Sequence, residues 1–413
     1  MNLFAFLFAQ AVQVTSGPAL DYQPDMILSQ DGRILVVYEV LDTSDLSGDL
    51  FSVYSTDSGS RWSSPAPVIA TPSWSERHPA LVQMPDGTCY LYYLSDSTAV
   101  QYRIHLSVST DFVNWTPMGP IDIGWGESAH QINPDVILEP DSSLSMSYQL
   151  LTLGYSNLGG YVAHSADGLV WDIQMRQVDA GARLPRMAKW RDSVYLVNYQ
   201  KGSGSNYDIY YKTSTDLTSW SSETRLTFTN NSHDSHPVPM GDTGMAAFYS
   251  TALTSQYDIY YQTSGDLVNW GDIEQLTDNS VYDNQAHGLC VNDTLWVIWS
   301  QSVYATPYLD HDLYFLKLVP AALGEKSGAG TGPSLRITPN PCLGGSFIAF
   351  NPGQDCQARV AIYDPSGRLV RELFAGAVNG TELRIATGNL SPGFYIVVAN
   401  AGEKRFTGNL VVE

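Results

Sequence analysis

The sequence predicts an all-β chain: a six-bladed β-propeller followed by a small Ig-like β-sandwich. Three observations carry this prediction. Twenty-five Tyr and ten Trp stand largely in alternating segments, and long Ala/Leu/Glu/Lys helical runs are missing. A short box ending in Trp recurs five times, its Asp at positions 57, 111, 167, 216 and 266, at spacings of 54, 56, 49 and 50 residues. A period near fifty with several strands per unit is the mark of propeller blades. The tail from Pro333 alternates strands with Pro-Ser-Gly and Pro-Gly turns, the pattern of a small sandwich.

At the N-terminus, "MNLFAFLFAQA" is an apolar run ending in a small-x-small pattern, Ala9-Gln10-Ala11. Residues 1–11 read as a signal peptide that lacks the usual basic start. No run of eighteen apolar residues follows, so no membrane-spanning helix is expected.

Residues 12–318 divide into six units. Each opens on a strand and an Asp turn, as in "PDMILSQDG", and continues into a second strand, as in "RILVVYEV". A third strand then enters the box: "STDSGSRW", "STDFVNW", "SADGLVW", "STDLTSW" or "SGDLVNW". The sixth unit ends in "DLYFLKL" without a box. Val12–Ser16 is expected to supply its outer strand and close the ring, leaving no long edge unpaired. Within each box the Asp and Ser side chains can bond nearby turn amides, and the Trp can pack between strands or blades. The repeat is therefore a building part rather than a site.

The net charge is −21. Residues 333–413 hold seven Lys/Arg and six Asp/Glu, so the first 332 hold fourteen and thirty-six. Such a body repels phosphate backbones, and no nucleic-acid partner is expected. Of four Cys, Cys342 and Cys356 could close a short loop, while Cys89 and Cys290 lie in apolar strand patterns. None has zinc spacing, and neither a metal site nor a cofactor is expected.

Propellers bind ligands where the innermost strands begin. Aligning those strands on their first Pro places Gln23, His78, Asn133, Leu184, His236 and His287 in one column. Two residues earlier stand Asp21, Glu76, Gln131, Ala182, Asp234 and Gln285, on the same face if the strands alternate regularly. Asp25, Asp135 and Arg186 follow on that face. Carboxylates, imidazoles and amides converging on one mouth suit glycan chemistry, since glycoside cleavage needs two carboxyl groups with separated pKa values. Asp25, Glu76, Asp135 and Asp234 are the catalytic candidates. His78, Gln131, Asn133, Arg186, His236 and His287 are the substrate contacts, with Trp74 and Trp125 in the preceding loops as stacking surfaces.

The first box fits S-x-D-x-G-x-x-W and resembles the Asp-box, or BNR repeat, of sialidase-like six-bladed propellers. The shorter "STDLTSW" and "SGDLVNW" are similar to turns of arabinanase- and fructosidase-like glycosidases. These resemblances imply the propeller architecture. Sialidases as a family clamp a carboxylate with three Arg. Here Arg77, Arg183 and Arg186 lie near inner-strand starts, the last two in one blade, so sialidase activity itself is not expected.

After Leu318 comes a Gly/Ala/Ser-rich linker over residues 319–332. The tail then carries Pro-Asn-Pro at 339–341, "IYDPSGRLV" from Ile362 to Val370, "LSPGFYIV" from Leu390 to Val397, and a basic-then-apolar end from Lys404. It closely resembles the C-terminal sorting domain of the type IX secretion system. That resemblance implies a bacterial protein that engages this secretion machinery and is secreted or attached to the outer-membrane surface. The reading from sequence is an exported propeller acting on extracellular glycans in the manner of a glycoside hydrolase. The alternative is a non-catalytic surface propeller that binds glycan or protein.

Overall fold

In the computed structural model the described residues are 11–318, apart from 43, 45–46, 98–100, 205, 230, 254–255 and 305–309, together with most of 334–412. In that second range 339–346, 352–354, 365–367, 380–382, 388–389, 392 and 403 are excepted. Residues 1–10 of the expected signal peptide 1–11, the expected linker over 319–332, Pro339–Pro341 and Cys342 lie outside the described residues. The chain forms two compact units, Met1–Leu323 and Gly324–Glu413.

The described part of the first unit is built from strands alone, in six antiparallel meanders. The inner strands are Leu20–Leu28, Glu76–Gln83, His130–Leu138, Arg183–Trp190, Ser232–Met240 and Asp283–Val291. Each packs against the next and the sixth packs against the first, which closes a six-bladed propeller. Val12–Gln13 pairs antiparallel with the third strand of the last blade, Val12 opposite Phe315 and Gln13 opposite Tyr314. Thr15 ties the same seam: its Oγ1 accepts the Leu313 amide at 2.9 Å.

The second strands, such as Ile34–Leu41 and Leu144–Leu151, are buried almost throughout. Blades stack face to face, so both faces of these strands meet apolar neighbours. That is why they read as near-continuous hydrophobic runs. Six apolar clusters result, one per seam. Met26, Tyr38 and Phe315 sit between blades six and one, while Val37, Leu91 and Phe112 fill the seam between one and two. The remaining four seams are filled alike.

The boxes staple these seams. Trp62, Trp115, Trp171, Trp220 and Trp270 each pack into the cluster between their own blade and the one before it. In the fourth box Asp216 accepts the amides of Thr218 and Ser219 at 2.8 and 2.7 Å, while Ser214 accepts that of Leu217 at 2.9 Å. Leu217 has φ +60°, a left-handed conformation unusual for leucine, and its side chain is buried. Gly59 holds a left-handed turn in the first box, where a Cβ would collide with the Phe315 ring.

The second unit has two sheets. One joins Ser334–Thr338, Phe347–Asn351 and Leu383–Ala386. The other runs in the order Leu369–Asn379, Asp355–Tyr363, Gly393–Ala401, Lys404–Val412. Ile348, Phe350, Val360, Ile362, Val397 and Leu410 form its core, an Ig-like sandwich.

Candidate functional site

Every inner strand is bent at the same point. Its register slips after Tyr22, Arg77, Ile132, Arg183, His233 and Asn284. The next residue has a positive φ in each case: Gln23 44°, His78 51°, Asn133 53°, Leu184 48°, Asp234 50° and Gln285 57°. A left-handed residue inside a strand re-aims the chain and breaks simple alternation.

This bend corrects the column alignment made from Pro positions. His236 and His287 do not stand level with Gln23, His78 and Asn133; Asp234 and Gln285 do. The reason is local. Blades five and six carry Ser235 and Ala286 where the first four carry Pro, and Pro237 falls two residues late. The residues two places past the bend therefore form one ring: Asp25, Ala80, Asp135, Arg186, His236 and His287. Asp21, Glu76 and Gln131 share a column with Ser232 and Asp283, on the strand side of the bend.

The ring closes a small cavity on the propeller axis. Gln23, Asp25, Arg186, Asp234, His236 and His287 are among its walls. Its volume is about 30 Å³, room for water. Among the groups lining it, Gln23 Oε1, Ser235 Oγ and His287 Nδ1 are buried with no hydrogen-bond partner among the described residues. Glu76, His78, Gln131, Asn133 and Asp135 do not line it; Asp135 reaches it only through Arg186. Glu76 faces the preceding loop, where its Oε2 accepts the Thr71 amide at 3.3 Å. Trp125 donates to Tyr148 Oη at 3.1 Å and packs on Tyr161. It is largely a core residue, not a free stacking surface.

Ring side chains strap adjacent blades at every other seam. Asp25 Oδ2 accepts the Leu81 amide of blade two at 2.6 Å, and Asp135 Oδ2 the Met187 amide of blade four at 2.6 Å. His236 Nδ1 faces the Gly288 amide of blade six at 3.4 Å. The other Asp25 oxygen accepts the Met26 amide at 2.6 Å and lies 2.7 Å from His287 Nε2. Both oxygens of Asp25 are thus engaged. Asp135 keeps Oδ1 toward Arg186 at 3.8 Å. The Asp234 carboxylate makes no hydrogen bond among the described residues.

A second set of straps went unread in the sequence. Glu39, Gln149, Gln200 and Ser250, all from second strands, accept the amide of the left-handed residue in the next blade. The distances are 3.0 Å to His78, 3.0 Å to Leu184, 3.2 Å to Asp234 and 3.3 Å to Gln285. Their signal was present as a polar residue near the end of an otherwise apolar second strand. Leu94 occupies the same register in blade two and breaks the pattern.

Burial sets the electrostatics. It pushes the Asp135 carboxyl up to about 6, against the pull of Arg186. Asp234 is raised by burial too, opposed by His233 and Arg186. Burial raises Asp21 and Glu76 to about 7. It pushes His78 down to about 3 and His236 well below its ordinary value, so both imidazoles are neutral at pH 7. Burial opposes the charge of Glu39, but the Arg77 guanidinium and the His78 amide hold it below its ordinary value. Among the described residues no three His, Cys, Asp or Glu are grouped to hold a metal ion.

Solved structures share the fold at low identity. A protein of unknown function from Dyadobacter fermentans is 13% identical with TM-score 0.61, over 75% of this chain and 98% of that one. A Trypanosoma rangeli sialidase in complex with 2,3-difluorosialic acid is 12% identical with TM-score 0.62, over 97% of this chain and 88% of that one. A Penicillium chrysogenum α-L-arabinanase complexed with arabinobiose is 15% identical with TM-score 0.55, over 75% and 98%. No curated protein matches the sequence. Residues 336–413 match the family model of the secretion system C-terminal sorting domain. The chain therefore joins a six-bladed propeller to a type IX secretion C-terminal sorting domain, the mark of bacterial proteins that are released or attached at the outer surface.

Proposed function

We propose that the propeller acts on an extracellular glycan at the mouth of its axial channel, as a glycoside hydrolase. The observation that supports this most is the pair Asp135 and Asp234. Both carboxyls are raised by burial, both feel Arg186, and each keeps an oxygen free of backbone bonds. Glycoside cleavage needs one carboxyl that holds its proton and one that has lost it. Asp135, bonded by the Met187 amide and near Arg186, suits the ionised role of base or nucleophile. Asp234, open at the mouth, suits the acid that protonates the leaving oxygen. Arg186, His236 and His287 line the cavity beside Asp234, and the Arg186 guanidinium lies 3.8 Å from Asp135 Oδ1. Asn133 Nδ2 donates to Gln149 Oε1 at 2.8 Å and Gln131 Nε2 to Gly126 O at 3.4 Å, and neither they nor His78 line the cavity. Asp25, with both oxygens engaged, serves as a strap, and Glu76 lies off the cavity.

The test is turnover of a panel of neutral polysaccharides and oligosaccharides by the purified protein. Asp135→Asn and Asp234→Asn should each abolish release of reducing ends while leaving the fold intact. Full activity in both variants would remove the assignment. The second reading, a glycan-binding propeller without catalysis, is favoured by the absence of Asp135 from the cavity lining. Binding without any turnover would establish it.

A further inference from the structure

We propose that the rim of the channel mouth carries two aromatic platforms, Tyr155 and Phe228, that seat a neutral glycan chain beyond the sugar at the axis. This rests on the glycan reading above but not on hydrolysis. Tyr155 lies in the turn between the second and third strands of blade three. Phe228 lies in the connection from blade four to the inner strand of blade five. Both connections are at the end where inner strands begin. Tyr155 is 62% exposed and Phe228 71%.

Each ring is backed on one side by an anchored planar group. Tyr155 stacks on His130 with centroids 4.5 Å apart and planes 19° apart. His130 is buried, and its Nδ1 accepts the Tyr102 amide at 3.1 Å. The turn is closed by the Tyr155 amide donating to Thr152 O at 2.8 Å and the Thr152 amide donating to Ser156 O at 2.8 Å. Tyr155 itself has φ +63°, a strained value for a tyrosine. The Arg225 guanidinium lies 4.7 Å from the centroid of Phe228, and its Nε donates to Thr227 O at 2.9 Å. Folding gains little from fixing a large aromatic ring in water at the end of a strained turn. A ring backed on one face and open on the other matches the C–H face of a pyranose, at small entropic cost because the ring is already fixed.

Charge selects the kind of chain. The first 332 residues hold thirty-six Asp/Glu against fourteen Lys/Arg, so a uronate or sulfated polymer is repelled and a neutral one is not. The axial cavity is small, about 30 Å³, so contacts outside it add to the affinity for a chain.

Isothermal titration of the full-length protein against xylan, arabinan, mannan and mixed-linkage glucan tests this, with polygalacturonate as the anionic control. At least one neutral polymer should bind. Tyr155→Leu and Phe228→Leu should each weaken it by roughly two- to tenfold, the usual span for one aromatic stacking contact. Tyr155→Phe should bind as the wild type does, because the ring is kept. The proposal is overturned if the Leu variants bind like wild type, if polygalacturonate is preferred, or if no neutral polymer binds. Binding that depends on Tyr155 and Phe228 without any turnover would support the platforms and sink only the hydrolytic reading.

Discussion

At the scale of single residues, Asp25 and Asp135 occupy equivalent places in the ring and do different work. Asp25 accepts the amides of Met26 and Leu81 and pairs with His287. Asn in its place would turn an amide donor toward a backbone donor. Asp25→Asn should therefore cost about 2–4 kcal/mol in urea unfolding. Asp135 turns its second oxygen to Arg186 at 3.8 Å, and its carboxyl, pushed up to about 6 by burial, sets a pH signature. As a base it must be ionised, so the rate should climb as pH rises through about 6. It should fall again at higher pH as Asp234 loses its proton, giving a bell-shaped profile of kcat/KM. A rate that does not rise with pH through about 6 would contradict the assignment of Asp135. The sequence showed these acids but not their division of labour, because that depends on which oxygens the neighbouring blade engages.

At the scale of elements, the box and the bent inner strand are the two recurring devices. The box was legible from five copies of a turn with Ser, Asp and Trp. Its Trp enters the seam behind its own blade, and Trp171 is almost wholly buried there. Trp171→Ala should cost about 3–5 kcal/mol with ligand affinity unchanged, since the box lies at the far end of the blade from the mouth. Burial favours the neutral carboxyl of Asp266, in the fifth box, but the bonds it accepts from Asn269 and Val268 bring it down to about 2. A depressed carboxylate contributes stability that is full above the ordinary value of about 4 and lost as pH falls through about 2. Asp266→Ala should therefore lower the melting temperature at neutral pH and lose that difference once pH falls below about 2. The bend was not legible. Nothing in Gln23 or Leu184 announces a left-handed residue inside a strand, since these types seldom adopt it and do so here under tertiary constraint. Pro24, Pro79, Pro134 and Pro185 hinted at it in four blades, and their replacement by Ser235 and Ala286 shifted the other two by two residues.

At the scale of the whole molecule, two compact units divide the work: the sandwich addresses the protein to its export route, and the propeller carries the proposed site. The sandwich was the more legible, because sorting is encoded in a contiguous run of residues. A propeller site is assembled from six strands about fifty residues apart, so an error in the register of one blade displaces its contribution. Removing residues 333–413 should leave the propeller folded, by circular dichroism and protease resistance, and retained in the periplasm of its native host. Normal surface display of the shortened chain would contradict the role of the tail. The central claim is that glycan chemistry takes place at the ring around Arg186. It is tested most directly by measuring reducing-end release from neutral glycans by the wild-type protein, Asp135→Asn and Asp234→Asn, with thermal melting as a control for folding. The account predicts turnover by the wild type alone and three folded proteins; equal turnover by all three would contradict it.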